Sequence, residues 1–276
     1  MGKGLSQRRG ISGMLYISFF TFFVLNAVAI WCVLKKIGNV LGVCEAPIHK
    51  NFLDSLLVWL NPDIKEVAPM PTDRGCLALC NHVNWSDFVI DICLVENGVY
   101  VSRNLLKFIF FPGSILRQLL FGDCIFFQRG GKSAHSKSHL YKQVEEKCLN
   151  ENRCIIVYVE GTRNPKKQKL PLKVGLLKLA YEKKIPVFVS MTTDKTSIFD
   201  ETNFIVTFRV PIINKKSPII DPLQFSDLSS FLAQVQSHWD SLWSQLILSP
   251  PKSEYPTLHS LPSVCGRNKE KINKTE

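Results

Sequence analysis

From residue 76 onward the chain alternates short β-prone runs with segments of helical periodicity. That alternation restricts the fold more than any other feature. The runs at 76–80, 99–102, 124–127, 154–159, 187–191 and 204–210 are apolar and short, as strands are. Helical patterns lie at 87–96, 133–150 and 174–182. A further amphipathic helix at 226–247 carries Leu228, Phe231, Leu232, Val235 and Trp239 on one face. Strand–helix alternation of this kind predicts an α/β domain, with a mostly parallel sheet flanked by helices.

The N-terminal part reads differently. Lys3, Arg8 and Arg9 precede residues 10–34, which contain no charged side chain, and Lys35 and Lys36 close the stretch. As a helix it would reach about 37 Å, against about 30 Å for a bilayer core. Its apolar core exceeds the roughly 7–15 residues of a secretory signal. The expectation is a basic segment at 1–13 followed by a retained membrane helix at 14–36. Residues 37–70, with a helical apolar face at 51–60, read as an amphipathic membrane-proximal segment. Pro62, Pro69, Pro71 and Gly75 mark a boundary. The main domain then falls at 71–249, with a disordered basic tail at 250–276.

Composition narrows the class. The chain has 276 residues, enough for one sizeable core, and 46% of them are apolar, which excludes a disordered chain for most of its length. The net charge of +11 points to phosphate groups, anionic lipid or nucleic acid as partners, and equally describes a solvated basic surface. The nine cysteines are scattered without a Cys-x-x-Cys pair, and most sit inside apolar runs such as Cys154-Ile155-Ile156-Val157. They read as reduced, buried thiols. No ligand cluster has zinc spacing, and no Gly-x-Ser-x-Gly elbow is present.

Two constellations carry chemistry. Asn81-His82-Val83-Asn84-Trp85-Ser86-Asp87 follows a strand and opens a helix. On one regular helix His82 and Asp87 would be offset by roughly 140°. They meet if His82 lies in the turn and Asp87 in the first helical turn, with Ser86 as the N-cap. Asp87 would then hold one imidazole nitrogen and leave the other as a base. The same residues also read as a capping Asp beside an unrelated exposed His. The second constellation, Glu160-Gly161-Thr162-Arg163, follows the strand at 154–159. Ligands of open α/β sheets sit at the carboxyl ends of strands, Gly161 admits close backbone approach, and Arg163 can fork onto a phosphate. A Glu–Arg surface pair is the competing reading. Lys166, Lys167 and Lys169 extend the basic loop, facing phosphate, coenzyme A or lipid, or simply water. The aromatic-rich region from Arg103 to Arg129 suits an acyl-chain groove, a lipid contact or a plain core helix. Arg129 closes a strand and shares an edge with Arg163.

Taken together, these residues resemble the glycerolipid acyltransferase family, whose best-known members acylate lysophosphatidic acid. The resemblance covers roughly residues 76–191. Asn81, His82 and Asp87 match its Asn-His-x-x-x-x-Asp block, and Phe126-Phe127-Gln128-Arg129 the block ending in Arg. Glu160-Gly161-Thr162-Arg163 matches a third block in full, and Ile185-Pro186-Val187 the Pro-centred one. Gly113 follows Pro112 immediately, where the family often has Gly three residues after Pro, and the last block lacks a further Pro.

The resemblance implies transfer of a fatty acyl group from acyl-CoA to the sn-2 hydroxyl of lysophosphatidic acid. His82 would act as general base and Asp87 would orient it, with no covalent acyl-enzyme. Arg129, Glu160, Gly161, Thr162 and Arg163 would form the acceptor-phosphate site. No metal and no cofactor are implied, acyl-CoA being a substrate. Another lysophospholipid or glycerol 3-phosphate is the alternative acceptor. The expected partners are acyl-CoA, a lysophospholipid and membrane lipid, and not nucleic acid, which would leave the N-terminal segment unexplained. A catalytically silent protein binding anionic lipid is the rival of another class, and it has no need of a base at His82. On the resemblance, the expected location is the endoplasmic reticulum membrane. The sequon Asn84-Trp85-Ser86 lies inside the proposed site, where a glycan would block it, so the active site is expected at the cytosolic face.

Overall fold

A computed structural model of the chain describes residues 7–8, 10–19, 30, 63–84, 87–103, 124–128, 134–200 and 202–248. Near the N-terminus, β1 (Gln7–Arg8) precedes α1 (Ile11–Phe19). The main sheet begins with β2 (Asp63–Val67) and β3 (Cys76–Cys80), followed by α2 (Asp87–Leu94), β4 (Gly98–Arg103) and β5 (Cys124–Phe127). Then come α3 (Ala134–Leu149), β6 (Cys154–Val157), α4 (Gly175–Lys183), β7 (Val187–Thr192) and the short α5 (Lys195–Ile198). The chain continues through β8 (Phe199–Asp200), β9 (Ile205–Thr207), β10 (Pro211–Lys216) and α6 (Leu228–Trp243).

Seven strands form one sheet in the order β2-β10-β7-β3-β6-β4-β5. The five strands from β7 to β5 are mutually parallel, and β10 runs antiparallel to β7 while pairing parallel with β2. This is the expected α/β architecture. β3 sits near the middle, hydrogen-bonded to β6 on one side and β7 on the other. All five of its residues are buried.

The two-residue period of a strand sorts side chains onto the two faces. Leu77, Leu79, Ile155, Val157, Val187 and Val189 pack with α3, α4 and α6. Ala78, Ile156 and Phe188 pack with α2 and with Ile198 and Phe199. Helices that follow β3 and β6 thus cover opposite faces, the switch-point arrangement at whose strand carboxyl ends open α/β sheets bind ligands. On α6 the expected stripe holds: Phe231, Val235 and Trp239 are buried, and Asp227 caps the helix by accepting from the Ser230 amide at 2.9 Å. All six described cysteines are free thiols, and all but Cys93 are buried.

Two expectations change. The run at 204–210 is not one strand. Phe204 and Arg209 both have positive φ, so the chain turns at each, leaving β9 in a small antiparallel sheet, β1-β9-β8, and starting β10 in the large one. The boundary expected at 71 also falls inside the sheet, because β2 already pairs with β10.

Of the expected membrane helix at 14–36, α1 covers the beginning. It meets β9 and places Tyr16 edge-on to Phe208, with ring centroids 5.2 Å apart, while Ile11, Met14, Leu15 and Phe19 are exposed. Residues 20–29 and 31–36 lie outside the described residues, as do 51–60, 104–123 and the tail at 250–276. Among the described residues no helix is long and apolar enough to cross a membrane.

Candidate active site

β3 and β6 pair in register, Cys76 opposite Cys154 and Leu79 opposite Val157, so the loops that leave them emerge side by side. The first loop holds His82 and the second holds Glu160. His82 Nδ1 lies 2.8 Å from Asp87 Oδ2, as the turn-then-helix geometry requires. The same oxygen accepts the backbone N–H groups of Val83 and Asn84, the latter at 3.1 Å. Asp87 is fully buried at the N-terminus of α2, where a negative charge is electrostatically favoured. Its hydrogen bonds run back to the turn and to His82 rather than into the helix, so Asp87 acts as the partner of His82 and not as a helix cap. Ser86, expected as the cap, lies outside the described residues.

Donation from Nδ1 to Asp87 leaves His82 Nε2 with its lone pair, able to take a proton. The Tyr158 ring stacks on the imidazole, with centroids 4.2 Å apart and planes 17° from parallel. The His82 side chain is 22% exposed, so it is gripped from two sides and still reachable.

Glu160 is 2% exposed, which removes the surface-pair reading. Its Oε2 accepts the backbone N–H of His82 at 2.9 Å, and its Oε1 accepts from Asn164 Nδ2 at 2.6 Å. Burial pushes its carboxyl above the ordinary range, against the pull of those donors. In return, the Asn164 N–H donates to the His82 carbonyl at 2.7 Å. Both backbone groups of His82 are thus fastened to the neighbouring loop.

Gly161 has φ +69, and a Cβ there would stand 3.0 Å from Lys173 Cγ. The turn needs glycine for its conformation, since the exposed Lys173 side chain could move aside. Thr162 and Arg163 are exposed beyond it. Lys166 and Lys167 are exposed too, and Lys169 pairs with Asp240 at 2.9 Å. Arg129, the expected companion of Arg163, lies outside the described residues. Among the described residues no cluster of His, Cys, Asp or Glu is placed to hold a metal ion.

Four residues that sequence reasoning gave no role also build the site. The Asn81 side chain pairs with the backbone of Thr192 twice, each at 3.0 Å. Asn84 Nδ2 donates to the carbonyls of Lys195 and Phe199. Lys195 Nζ donates to Asp91 and to the Asn81 carbonyl. Asp91 carried a legible signal, an acidic residue four positions after Asp87 on an otherwise apolar helix. Lys195 carried none.

The family model described as Acyltransferase matches residues 61–191. A 1-acyl-sn-glycerol-3-phosphate acyltransferase from Cocos nucifera is 23% identical over 232 residues, spanning 81% of this chain and 70% of that protein. Among solved structures, the 1-acyl-sn-glycerophosphate (LPA) acyltransferase PlsC from Thermotoga maritima has the same fold. The TM-score is 0.60 at 18% identity, over 84% of this chain and 94% of that one.

Proposed function

We propose that this chain, which carries an acyltransferase-family domain at residues 61–191, transfers a fatty acyl group from acyl-CoA to the sn-2 hydroxyl of lysophosphatidic acid, giving phosphatidic acid. The coarser statement, an acyltransferase of the glycerolipid type, rests on the family match and on the two lysophosphatidic acid acyltransferases it is similar to. The observation that carries the finer reading is the His82–Asp87 pair at 2.8 Å, reachable from solvent at the carboxyl end of β3.

In this reading His82 Nε2 takes the proton of the acceptor hydroxyl as its oxygen attacks the thioester carbonyl. The C–S bond then breaks, and the proton passes from His82 to the departing coenzyme A thiolate. Asp87 holds the imidazole in the tautomer this needs and stabilises the imidazolium formed on the way. Arg163, with Arg129, binds the acceptor phosphate. A forked guanidinium suits a terminal monoester better than a choline diester.

The charge-free stretch at 10–34 and the exposed apolar side chains of α1 support attachment to a membrane, proposed as that of the endoplasmic reticulum with the site facing the cytosol. The test is an acyl-CoA assay across lysophosphatidic acid, lysophosphatidylcholine and glycerol 3-phosphate, run with His82→Ala in parallel. Preference for lysophosphatidic acid, lost in the variant, supports the reading. A wild-type preference for the choline lipid, or an active His82→Ala, overturns it.

A further inference from the structure

Behind the His82–Asp87 pair, on the side away from solvent, lies a charge that the reaction described above does not use. Lys195 opens α5 and is 1% exposed. Its Nζ donates to both oxygens of Asp91 at 3.0 Å and to the Asn81 carbonyl at 2.7 Å, and it stands 3.8 Å from Asp87 Oδ1. That Asp87 oxygen takes no hydrogen bond among the described residues, and the Lys195 ammonium is the counter-charge beside it.

A buried ammonium is costly unless paired, and its charge acts strongly on its neighbours because no water screens it. The other titratable groups of this cluster belong to four elements or loops. Asp87 and Asp91 come from α2, Cys80 from β3, Tyr158 and Glu160 from the loop after β6, and Lys216 from β10. Burial opposes the charge on Lys195, and Asp87 and Asp91 outweigh it, holding the ammonium protonated above its ordinary range. Burial also holds the Tyr158 and Cys80 protons on, so both stay neutral at working pH. Lys216 is only half-buried, and Glu160 is held by His82 and Asn164. The charges that matter to Asp87 are therefore Lys195 and Asp91, one of each sign.

We propose that Lys195, with Asp91 as its counter-ion, is a positioning residue that sets how readily the His82–Asp87 pair takes up a proton. Through the Asn81 carbonyl it also fixes the backbone immediately before His82. Lys195 alone beside Asp87 would draw the carboxylate's charge away from the imidazolium and weaken the base. Asp91 alone would favour the imidazolium and leave His82 protonated when it must accept. Together they leave Asp87 free to serve His82. The inference rests on His82 acting as the base.

The test is the acid limb of kcat/KM against pH for the full-length enzyme in detergent or vesicles, with lysophosphatidic acid as acceptor. Asp91→Asn leaves Lys195 unopposed and should move the limb about one unit to lower pH. Lys195→Met should move it to higher pH by less, because an unpaired, buried Asp91 carboxyl takes a proton itself. The double variant should bring the limb back toward wild type, and Lys195→Arg should retain most of the wild-type profile. The double variant removes both charges at once and is the one expected to fold even if a single variant does not. The rate of inactivation by diethyl pyrocarbonate against pH follows the same imidazole without turnover and should shift in parallel. Limbs that coincide in all variants, or singles that move the same way, overturn the proposal and leave Lys195 a structural residue. An active His82→Ala would instead overturn the catalytic reading itself.

Discussion

The two loops that meet at the candidate site are built on opposite principles. In the loop from Asn81 to Asp87 every described residue except His82 is buried, and three of its side chains hold backbone groups. Asn81 and Asn84 grip β7, α5 and β8, and Asp87 grips its own turn. The loop after β6 is anchored at its start by Glu160 and Asn164 and at its far end by the Lys173 amide on the Val159 carbonyl. It then runs outward through Thr162, Arg163, Lys166 and Lys167, all exposed. Under the proposed mechanism the two do different work. A proton acceptor has to be held within tenths of an ångström, whereas a cation that meets a phosphate can do so from the end of a long side chain.

The sharpest way to break that comparison is at His82. Changing it to Ala should lower kcat about 10²–10⁴-fold while the thermal midpoint falls far less, since the partly exposed ring gives up one bond to Asp87 and the stack on Tyr158. A matching fall in stability would put His82 in the scaffold instead.

Arg163 probes the other loop. Arg163→Ala should raise KM for the lysolipid roughly 10- to 150-fold, from a charge-assisted contribution of about 1.5–3 kcal/mol, with KM for acyl-CoA little changed. Arg163→Lys should fall between. A defect confined to acyl-CoA would move this loop away from the acceptor.

A pH experiment sharpens the buried side. Burial holds the Asp91 carboxyl up at about 6, against an ordinary 3.8, with Lys195 pulling the other way. The unfolded chain therefore releases that proton first, and this group's contribution to stability declines as pH rises from about 4 to about 6. Denaturant midpoints across that window should show a shallower decline in Asp91→Asn than in wild type. The smallest effect belongs to Lys169, whose exposed pair with Asp240 contributes at most about 1 kcal/mol. Lys169→Ala should leave midpoints and kcat nearly unchanged.

The same contrast explains what could be read in advance. β3 and β5 are legible because each is a short apolar run, Cys-Leu-Ala-Leu-Cys and Cys-Ile-Phe-Phe, buried at nearly every position. β2 and β10 read Asp-Ile-Lys-Glu-Val and Pro-Ile-Ile-Asn-Lys-Lys. Their polarity hides them, since pairing at the margin of a sheet depends on neighbours that local sequence does not carry. At the site, His82 and Asp87 are visible because five residues of one loop bring them together. Lys195 reaches the same place from the far side of β7, and only the assembled sheet reveals it.

That assembly has a bearing on the order of folding events. The turn carrying His82 is held by partners remote in sequence: Asn81 finds Thr192 111 residues on, Asn84 finds Phe199 115 residues on, and His82 finds Glu160 78 residues on. Closing loops of that length is slow compared with forming local helices. Turnover should therefore be among the last properties a refolding chain regains, trailing its helical signal. For the same reason a chain interrupted before β7 would hold every residue of the His82–Asp87 motif and still lack the anchors that Asn81 and Asn84 find beyond that point.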